Sequence, residues 1–199
     1  MEELSKRSIQ KINHIATVAE RLFLSQGVRA IPIEQIVTEA QVSKATFYKY
    51  FKNKEELLSY LFKKIGDEYK EKLESLIAKS KESNLTVEDF LSLFAEETYD
   101  KYYKSDFVME LMQDYPSLLE SLNIHYMTEI VPTYKEFIRI AKIDGIIRMD
   151  IDPDVFMAYT MIVKKGLREV FQPPPGMDMM EYTKQLLDMY LYGIMERKS

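Results

Sequence analysis

Apolar residues recur at the spacing of an α-helix along nearly the whole chain, and this periodicity constrains the fold more than any other feature. No run alternates apolar and polar residues as a half-buried β-strand requires. The clearest stripe follows an i, i+3, i+4, i+7, i+8 pattern and consists of Ile15, Val18, Ala19, Leu22 and Phe23. It ends before Gly27, a residue suited to a left-handed conformation after a helix. The sequence therefore predicts an all-α fold of about nine helices.

Local polar motifs and prolines predict where helices begin and where they are interrupted. Capping-box patterns occur at Asn53 with Glu56 and at Thr86 with Asp89. Asp152 followed by Pro153 is a cap-proline pair, and Asp178 is a single capping residue. Pro32 is expected at the first position of a short helix. Pro132 should kink or interrupt a longer one. Residues 173–176, Pro-Pro-Pro-Gly, predict a stiff extended connector.

The composition argues against an enzyme and against a metal or cofactor site. The 199 residues contain no cysteine and two histidines, His14 and His125, which are far apart in the sequence. Disulfides, thiolate metal sites and a cysteine nucleophile are thereby excluded. There is no glycine-rich phosphate loop and no metal-ligand spacing. No apolar run reaches the roughly 18 residues of a membrane helix, so we expect a cytoplasmic protein without a membrane partner.

The net charge of −5 is unevenly distributed. Residues 1–54 carry nine basic and five acidic side chains, a net charge of +4, whereas the remaining residues carry 18 basic and 27 acidic ones, a net charge of −9. A basic N-terminal part on an acidic body is typical of a protein that presents one end to phosphate.

Residues 33–58 form the most informative segment of the chain. A short amphipathic helix from Ile33 to Ala40, a three-residue turn and a second short helix from Lys44 to Phe51 predict a helix-turn-helix. Its buried side is expected to consist of Ile36, Val37, Ala40, Val42, Phe47 and Phe51. The outward side contains no carboxylate and consists of Lys44, Ala45, Thr46, Tyr48, Lys49 and Tyr50. Such a surface suits the groove of a DNA duplex.

This segment resembles the TetR/AcrR family, the tetracycline-repressor-like transcriptional regulators. The resemblance rests on the pattern from Ile15 to Gly27 and on SKATFYKYFKNKEELL at residues 43–58, with a weaker familial segment at residues 145–156. It implies a helix-turn-helix DNA-binding domain at residues 1–53 and a helical ligand-binding and dimerisation domain at residues 54–199. It further implies a one-component regulator, a repressor that binds a palindromic operator in double-stranded DNA as a homodimer. A small apolar or amphipathic effector would release it.

The resemblance also implies the residues that contact DNA: Ser43, Lys44, Ala45, Thr46, Tyr48, Lys49, Tyr50 and Lys54. Lys44 would donate to guanine, and the methyl groups of Ala45 and Thr46 would touch thymine. The tyrosines and the other lysines would mainly hold phosphates. The sequence departs from the family at three positions, where Gln41 replaces a common turn glycine, Lys49 a tyrosine and Tyr50 a histidine. If the turn needs a positive φ, Gln41 costs on the order of 1 kcal/mol.

For the body, the resemblance implies a dimer formed by two long helices, about Pro153–Phe171 and Asp178–Arg197. The expected dimer residues are Tyr159, Ile162, Val163, Gly166, Leu167, Val170, Leu187, Tyr190, Leu191 and Ile194. A ligand cavity is expected among aromatic, histidine and methionine side chains: Phe94, Tyr99, Tyr103, Met109, Met112, His125, Tyr126, Phe137, Met157 and Met161. If Glu97 and Glu129 face inward, a cationic ligand becomes plausible.

Two readings of the body remain open at the level of the sequence. The first is the small-molecule sensor just described. In the second, the DNA-binding head is kept and the body is a protein-interaction module, which would expose a surface patch instead of enclosing a cavity.

Overall fold

The computed structural model describes residues 5–93, 107–169 and 174–178, together with Glu181, Tyr182, Gln185 and Met189. The fold is all-α, as predicted, and the expected number of helices is compatible with it. None of the described helices is long and apolar enough to cross a membrane.

The helices follow one another with short connections in the N-terminal part. They are α1 (Lys6–Gln26), α2 (Ile33–Glu39), α3 (Lys44–Tyr50), α4 (Lys54–Ser80), α5 (Val87–Ser92), α6 (Phe107–Asp114), α7 (Pro116–His125), a π-helical turn (Tyr126–Ile130), α8 (Val131–Ile143) and α9 (Pro153–Glu169). The chain divides into two compact units. The described residues of the first unit are 5–69 and 107–130, and those of the second are 70–93 and the described residues from 131 onward. The division at residue 53 is a functional one and stays a prediction.

The first unit is built around the apolar stripe of α1. The stripe packs against the predicted apolar side of α2 and α3, the start of α4, and Leu111 and Leu118 from α6 and α7. Phe23, Phe47 and Ile36 are fully buried. Burying a side chain of this size stabilises the fold by about 1.5–3 kcal/mol. The core of this unit therefore fixes the position of α3, which carries the candidate interface.

The second unit has an aromatic core. The ring of Phe90 lies 6.2 Å from that of Phe137 and 6.0 Å from that of Phe156, centroid to centroid, and Tyr134 stacks on Phe156 at 6.5 Å. All four side chains are buried. Asp144, after α8, accepts the backbone N–H of Leu85 at 2.8 Å and so ties the segment before α5 to this core.

The predicted helix starts are confirmed by their hydrogen bonds. Each capping side chain accepts a backbone N–H from two or three residues later, at 2.8–3.2 Å. The pairs are Asn53 with the N–H of Glu56, Thr86 with that of Asp89, Asp152 with that of Asp154, and Asp178 with that of Glu181. The Asp89 carboxylate also accepts the N–H of Thr86 at 2.9 Å, which completes that box.

Proline acts differently from the prediction at two of three places. Pro32 precedes α2 in an extended conformation, one position earlier than expected. The interruption at Pro132 is confirmed and takes the form of the π-helical turn directly before it, which lets the helix continue although proline lacks an N–H. The prediction of an extended connector is wrong for residues 174–176, which form a turn. The N–H of Met177 donates to the carbonyl of Pro174 at 3.0 Å, and Gly176 has φ +91°. Glycine after proline favours such a turn.

Candidate nucleic-acid interface

Helix α3 is held in place by its buried side and by a cap. Phe47 is fully buried, and Phe51 directly after the helix is 3% exposed. The Ser43 hydroxyl accepts the N–H of Thr46 at 3.1 Å and lies 2.9 Å from the Thr46 hydroxyl. Ser43 thus has a structural task in addition to its predicted contact with DNA. Of the predicted buried side of the helix-turn-helix, Val42 is half-buried and the other five residues are buried.

The turn before α3 has an unusual backbone. Gln41 has φ +51°, the only positive φ of a non-glycine residue in the part of the chain that the structure describes. The following N–H, of Val42, donates to the carbonyl of Val37 at 3.0 Å and closes the turn. The departure from glycine noted in the sequence therefore falls at a position that does require the left-handed region, where a side chain costs about 1–2 kcal/mol.

The outward side of α3 presents most of the predicted DNA-binding residues together. Lys44, Ala45, Tyr48 and Lys49 are exposed, Tyr48 at 51%. Tyr50 is half-buried and packs against the core, with the Lys49 ammonium 5.5 Å from its ring centroid. Thr46 is also half-buried. The exposed surface of α3 thus combines two ammonium groups with one phenol and no carboxylate.

A carboxylate from the neighbouring helix reaches this surface. Glu34 on α2 lies 2.6 Å from the Lys44 ammonium, and both side chains are more than half exposed. The hydrogen bond raises the pKa of Lys44 and lowers the pKa of Glu34. This contact is not evident from the sequence, because the two residues are ten positions apart and meet only through the angle between α2 and α3.

Lys54 is engaged differently from the other predicted residues. Its ammonium donates to the backbone carbonyl of Val28 at 2.8 Å, and partial burial lowers its pKa. It stands at the start of α4, where the Asn53 and Glu56 caps satisfy local backbone N–H groups. In the free protein Lys54 therefore holds the loop between α1 and α2, and its contact with phosphate stays a prediction.

The same loop is also bound by α6. Glu110 accepts the backbone N–H groups of Val28 and Arg29, the latter at 3.0 Å. The Arg29 guanidinium makes a bidentate pair with Asp114, at 2.6 and 2.7 Å, which lowers the pKa of that carboxyl. No local pattern in the sequence indicates this cluster, since the partners are more than 80 residues apart. His14 is exposed, and its Nε2 lies 3.0 Å from the carbonyl oxygen of Ala40.

Four predicted ligand residues have described side chains, and they fall in both units. His125 and Tyr126 are half-buried in the first unit, with His125 3.3 Å from the Asp67 carboxylate. Phe137 is fully buried and Met157 half-buried in the second. Glu129 is exposed, so the condition for a cationic ligand is not met there. Outside the described residues or side chains lie Phe94, Glu97, Tyr99, Tyr103, Met109, Met112 and Met161.

The predicted dimer residues are described in part. Tyr159 and Ile162 on α9 are 41% and 68% exposed, and Val155, which the sequence analysis missed, is 65% exposed on the same face. Three further predicted dimer residues belong to α9, but only their backbone is described: Val163, Gly166 and Leu167. The remaining ones lie outside the described residues: Val170, Leu187, Tyr190, Leu191 and Ile194. Val155, Tyr159 and Ile162 thus form an exposed apolar stripe on α9, and its role in dimerisation stays a prediction.

Comparison with known proteins agrees with the geometry of the N-terminal part. The family described as "Bacterial regulatory proteins, tetR family" matches residues 15–61. The HTH-type dhaKLM operon transcriptional activator DhaS of Lactococcus lactis is 39% identical over 57 residues, which are 29% of this chain and 30% of that protein. The curated relatives are therefore matched over less than a third of their length.

Solved structures are similar over nearly the whole chain. A putative TetR-family transcriptional regulator from Mesorhizobium loti has a TM-score of 0.66 at 17% identity, covering 96% of this chain and all of that one. SmeT in complex with triclosan has a TM-score of 0.66 at 20% identity, covering 94% of this chain and 93% of that one. Likeness at this identity establishes a common fold.

Proposed function

Since the chain belongs to the TetR family of bacterial transcriptional regulators, we propose that it represses transcription by inserting α3 into the major groove of a palindromic operator. The observation that carries this proposal is the exposed side of α3, where Lys44, Tyr48 and Lys49 stand on a buried core and the helix itself carries no carboxylate. Lysine donates to guanine O6 and N7 or to phosphate, and tyrosine donates to phosphate. Regulators of this family are generally non-enzymatic, and the same is proposed for this protein.

Selection from a randomised duplex library tests the DNA-binding part of the proposal. The full-length protein should enrich an inverted repeat whose half-sites are about one helical turn, roughly 34–36 Å, or a multiple of it apart. Binding to the selected duplex, followed by fluorescence anisotropy, should weaken as salt rises, because each neutralised phosphate releases counterions. Failure to enrich any duplex, or an affinity independent of salt, would refute DNA binding.

Dimerisation is proposed through the exposed stripe of α9. Val155, Tyr159 and Ile162 lie on one helical face, and an apolar face of this kind on a long helix favours pairing with a copy of itself. Two recognition helices bind two half-sites tightly as one unit when the chains are joined, because the second contact is then intramolecular. Sedimentation should therefore show a dimer at the concentrations that bind DNA, and a monomer that still binds the inverted repeat tightly would contradict this part.

The body is proposed to sense a small apolar or amphipathic effector. The support is the shared fold with SmeT, a protein solved with triclosan, and the aromatic and methionine residues of the sequence. An effector must bind a state with poor DNA affinity more tightly than the competent state, otherwise it shifts nothing. Compounds that raise the melting temperature of the protein should therefore release the selected duplex. If no stabilising compound alters DNA affinity, the body is not a sensor of this kind.

The sign of regulation and the protein-interaction reading have their own test. The relative DhaS is named as a transcriptional activator, so activation is the second candidate. In transcription reconstituted with purified polymerase and the selected site beside a promoter, a repressor lowers the transcript level and an activator raises it. A body that recruits another protein predicts that the purified system shows neither effect.

A further inference from the structure

The ion pair between Glu34 and Lys44 lies at the edge of the proposed DNA-reading surface. Lys44 is the first residue of α3, and its ammonium is 2.6 Å from Glu34 Oε1 on α2. Glu39, at the end of the same α2 helix, pairs instead with Arg21 on α1 at 3.0 Å. The two glutamates are comparable in exposure, but only the first holds a side chain of α3.

A lysine held by one carboxylate still has donors to spare. The ammonium carries three N–H bonds, and a single hydrogen bond to Glu34 leaves two of them. Guanine presents two acceptors in the major groove, O6 and N7. The side chain of an unrestrained lysine also samples many rotamers, and ordering it costs free energy when DNA is bound. Glu34 removes part of that cost in advance.

We propose that Glu34 is a positioning residue that makes Lys44 specific for guanine in the operator. This inference rests on the proposed DNA binding. Glu34 holds the Lys44 ammonium over the groove with two donors directed to the base edge. It also keeps Lys44 from moving to a phosphate on an unmatched sequence, because Lys44 would have to exchange the Glu34 carboxylate for the phosphate and would gain little. Glu34 therefore strengthens binding to the matched site and weakens binding elsewhere, which together raise the specificity ratio.

The test measures base preference at one position of the selected duplex. The position is the one where Lys44→Ala loses its preference in parallel library selections. For the wild type, guanine there should be favoured by roughly tenfold or more over the other bases. Glu34→Gln keeps the shape of the side chain but accepts only as a neutral amide, and it should reduce this preference to about threefold or less. On a scrambled duplex its affinity should rise, with a log–log salt slope steeper by about 0.9 because Lys44 gains one phosphate.

Two comparisons separate positioning from a general effect of charge. Glu39→Gln removes the same charge from the same helix and should leave the base preference unchanged. In a Lys44→Ala background, Glu34→Gln should have no further effect on base preference. The inference is overturned if Glu34→Gln raises affinity for all duplexes equally, if its effect persists without Lys44, or if no selected guanine depends on Lys44. A wild-type protein that binds no duplex would overturn the proposed function as well, so the two failures are distinguishable.

Discussion

Replacing Gly27 by alanine is expected to loosen the contact between the loop after α1 and helix α6. Gly27 has φ +84° and ψ +158°, a combination that is essentially restricted to glycine. A Cβ atom there would lie 2.8 Å from Glu110 Oε1 and 3.1 Å from Oε2. The same carboxylate accepts the backbone N–H groups of Val28 and Arg29. The methyl group and the hydrogen-bonded carboxylate cannot both keep their places.

The expected cost has two parts. Backbone strain at such a φ and ψ contributes about 1–3 kcal/mol. Displacing Glu110 loses charge-assisted hydrogen bonds, and because water replaces them at this partly exposed loop we take the low end, about 1 kcal/mol. The free energy of unfolding should therefore fall by about 2–4 kcal/mol, measured by urea denaturation at fixed protein concentration.

Two controls divide this cost. Gly145→Ala places a Cβ at φ +73° with no atom within 4 Å, so it should show strain alone. Glu110→Ala removes the clashing group, and Gly27→Ala should then cost less by about 1 kcal/mol than in the wild-type background. The reasoning is refuted if Gly27→Ala costs no more than Gly145→Ala, or if its cost is the same with and without Glu110.

Three further outcomes are expected. Gln41→Gly should raise the free energy of unfolding by about 0.5–1 kcal/mol, since relief of the positive φ exceeds the entropy cost of glycine; urea denaturation should show no such gain for Gln41→Ala. Arg29 lowers the pKa of Asp114, so the stability from this pair is present above pH 3.8 and is lost as the pH falls through the folded pKa. Asp114→Asn should therefore reduce the dependence of the free energy of unfolding on pH in this acidic range. An unchanged dependence on pH would contradict this role of the pair. Ile162→Lys should give a monomer in sedimentation, whereas Ile143→Lys, at a comparably exposed site, should not; equal effects of both would argue against the stripe.

The sequence predicted those features whose partners are close in the chain. The caps at Asn53 and Asp152 use N–H groups two or three residues away, so the residue types alone indicate them. The buried side of α2 and α3 follows from apolar periodicity. The positive φ of Gln41 was considered only as a condition, because the family resemblance places a common turn glycine at this position.

Contacts that depend on how helices meet were missed. Glu34 lies on an exposed face of α2, and nothing in its sequence neighbourhood indicates that Lys44 is within 2.6 Å. In the sequence, Glu110 looks like an ordinary charged residue of an amphipathic helix. Its hydrogen bonds to the loop after α1 follow only from the packing of α6 beside that loop. Arg29 was only counted in the basic N-terminal part, and Lys54 was predicted from the resemblance to contact DNA. Neither prediction indicated that both side chains bind groups of the protein itself.

The central claim is that the exposed side of α3 binds DNA, and one anisotropy titration tests it most directly. Tyr48→Ala and Lys81→Ala, the latter on an exposed residue after α4, are compared on the duplex selected by the wild type. Tyr48→Ala should weaken binding by roughly tenfold, which corresponds to about 1.4 kcal/mol, and Lys81→Ala should leave it unchanged. Equal affinities of Tyr48→Ala and the wild type would contradict the account.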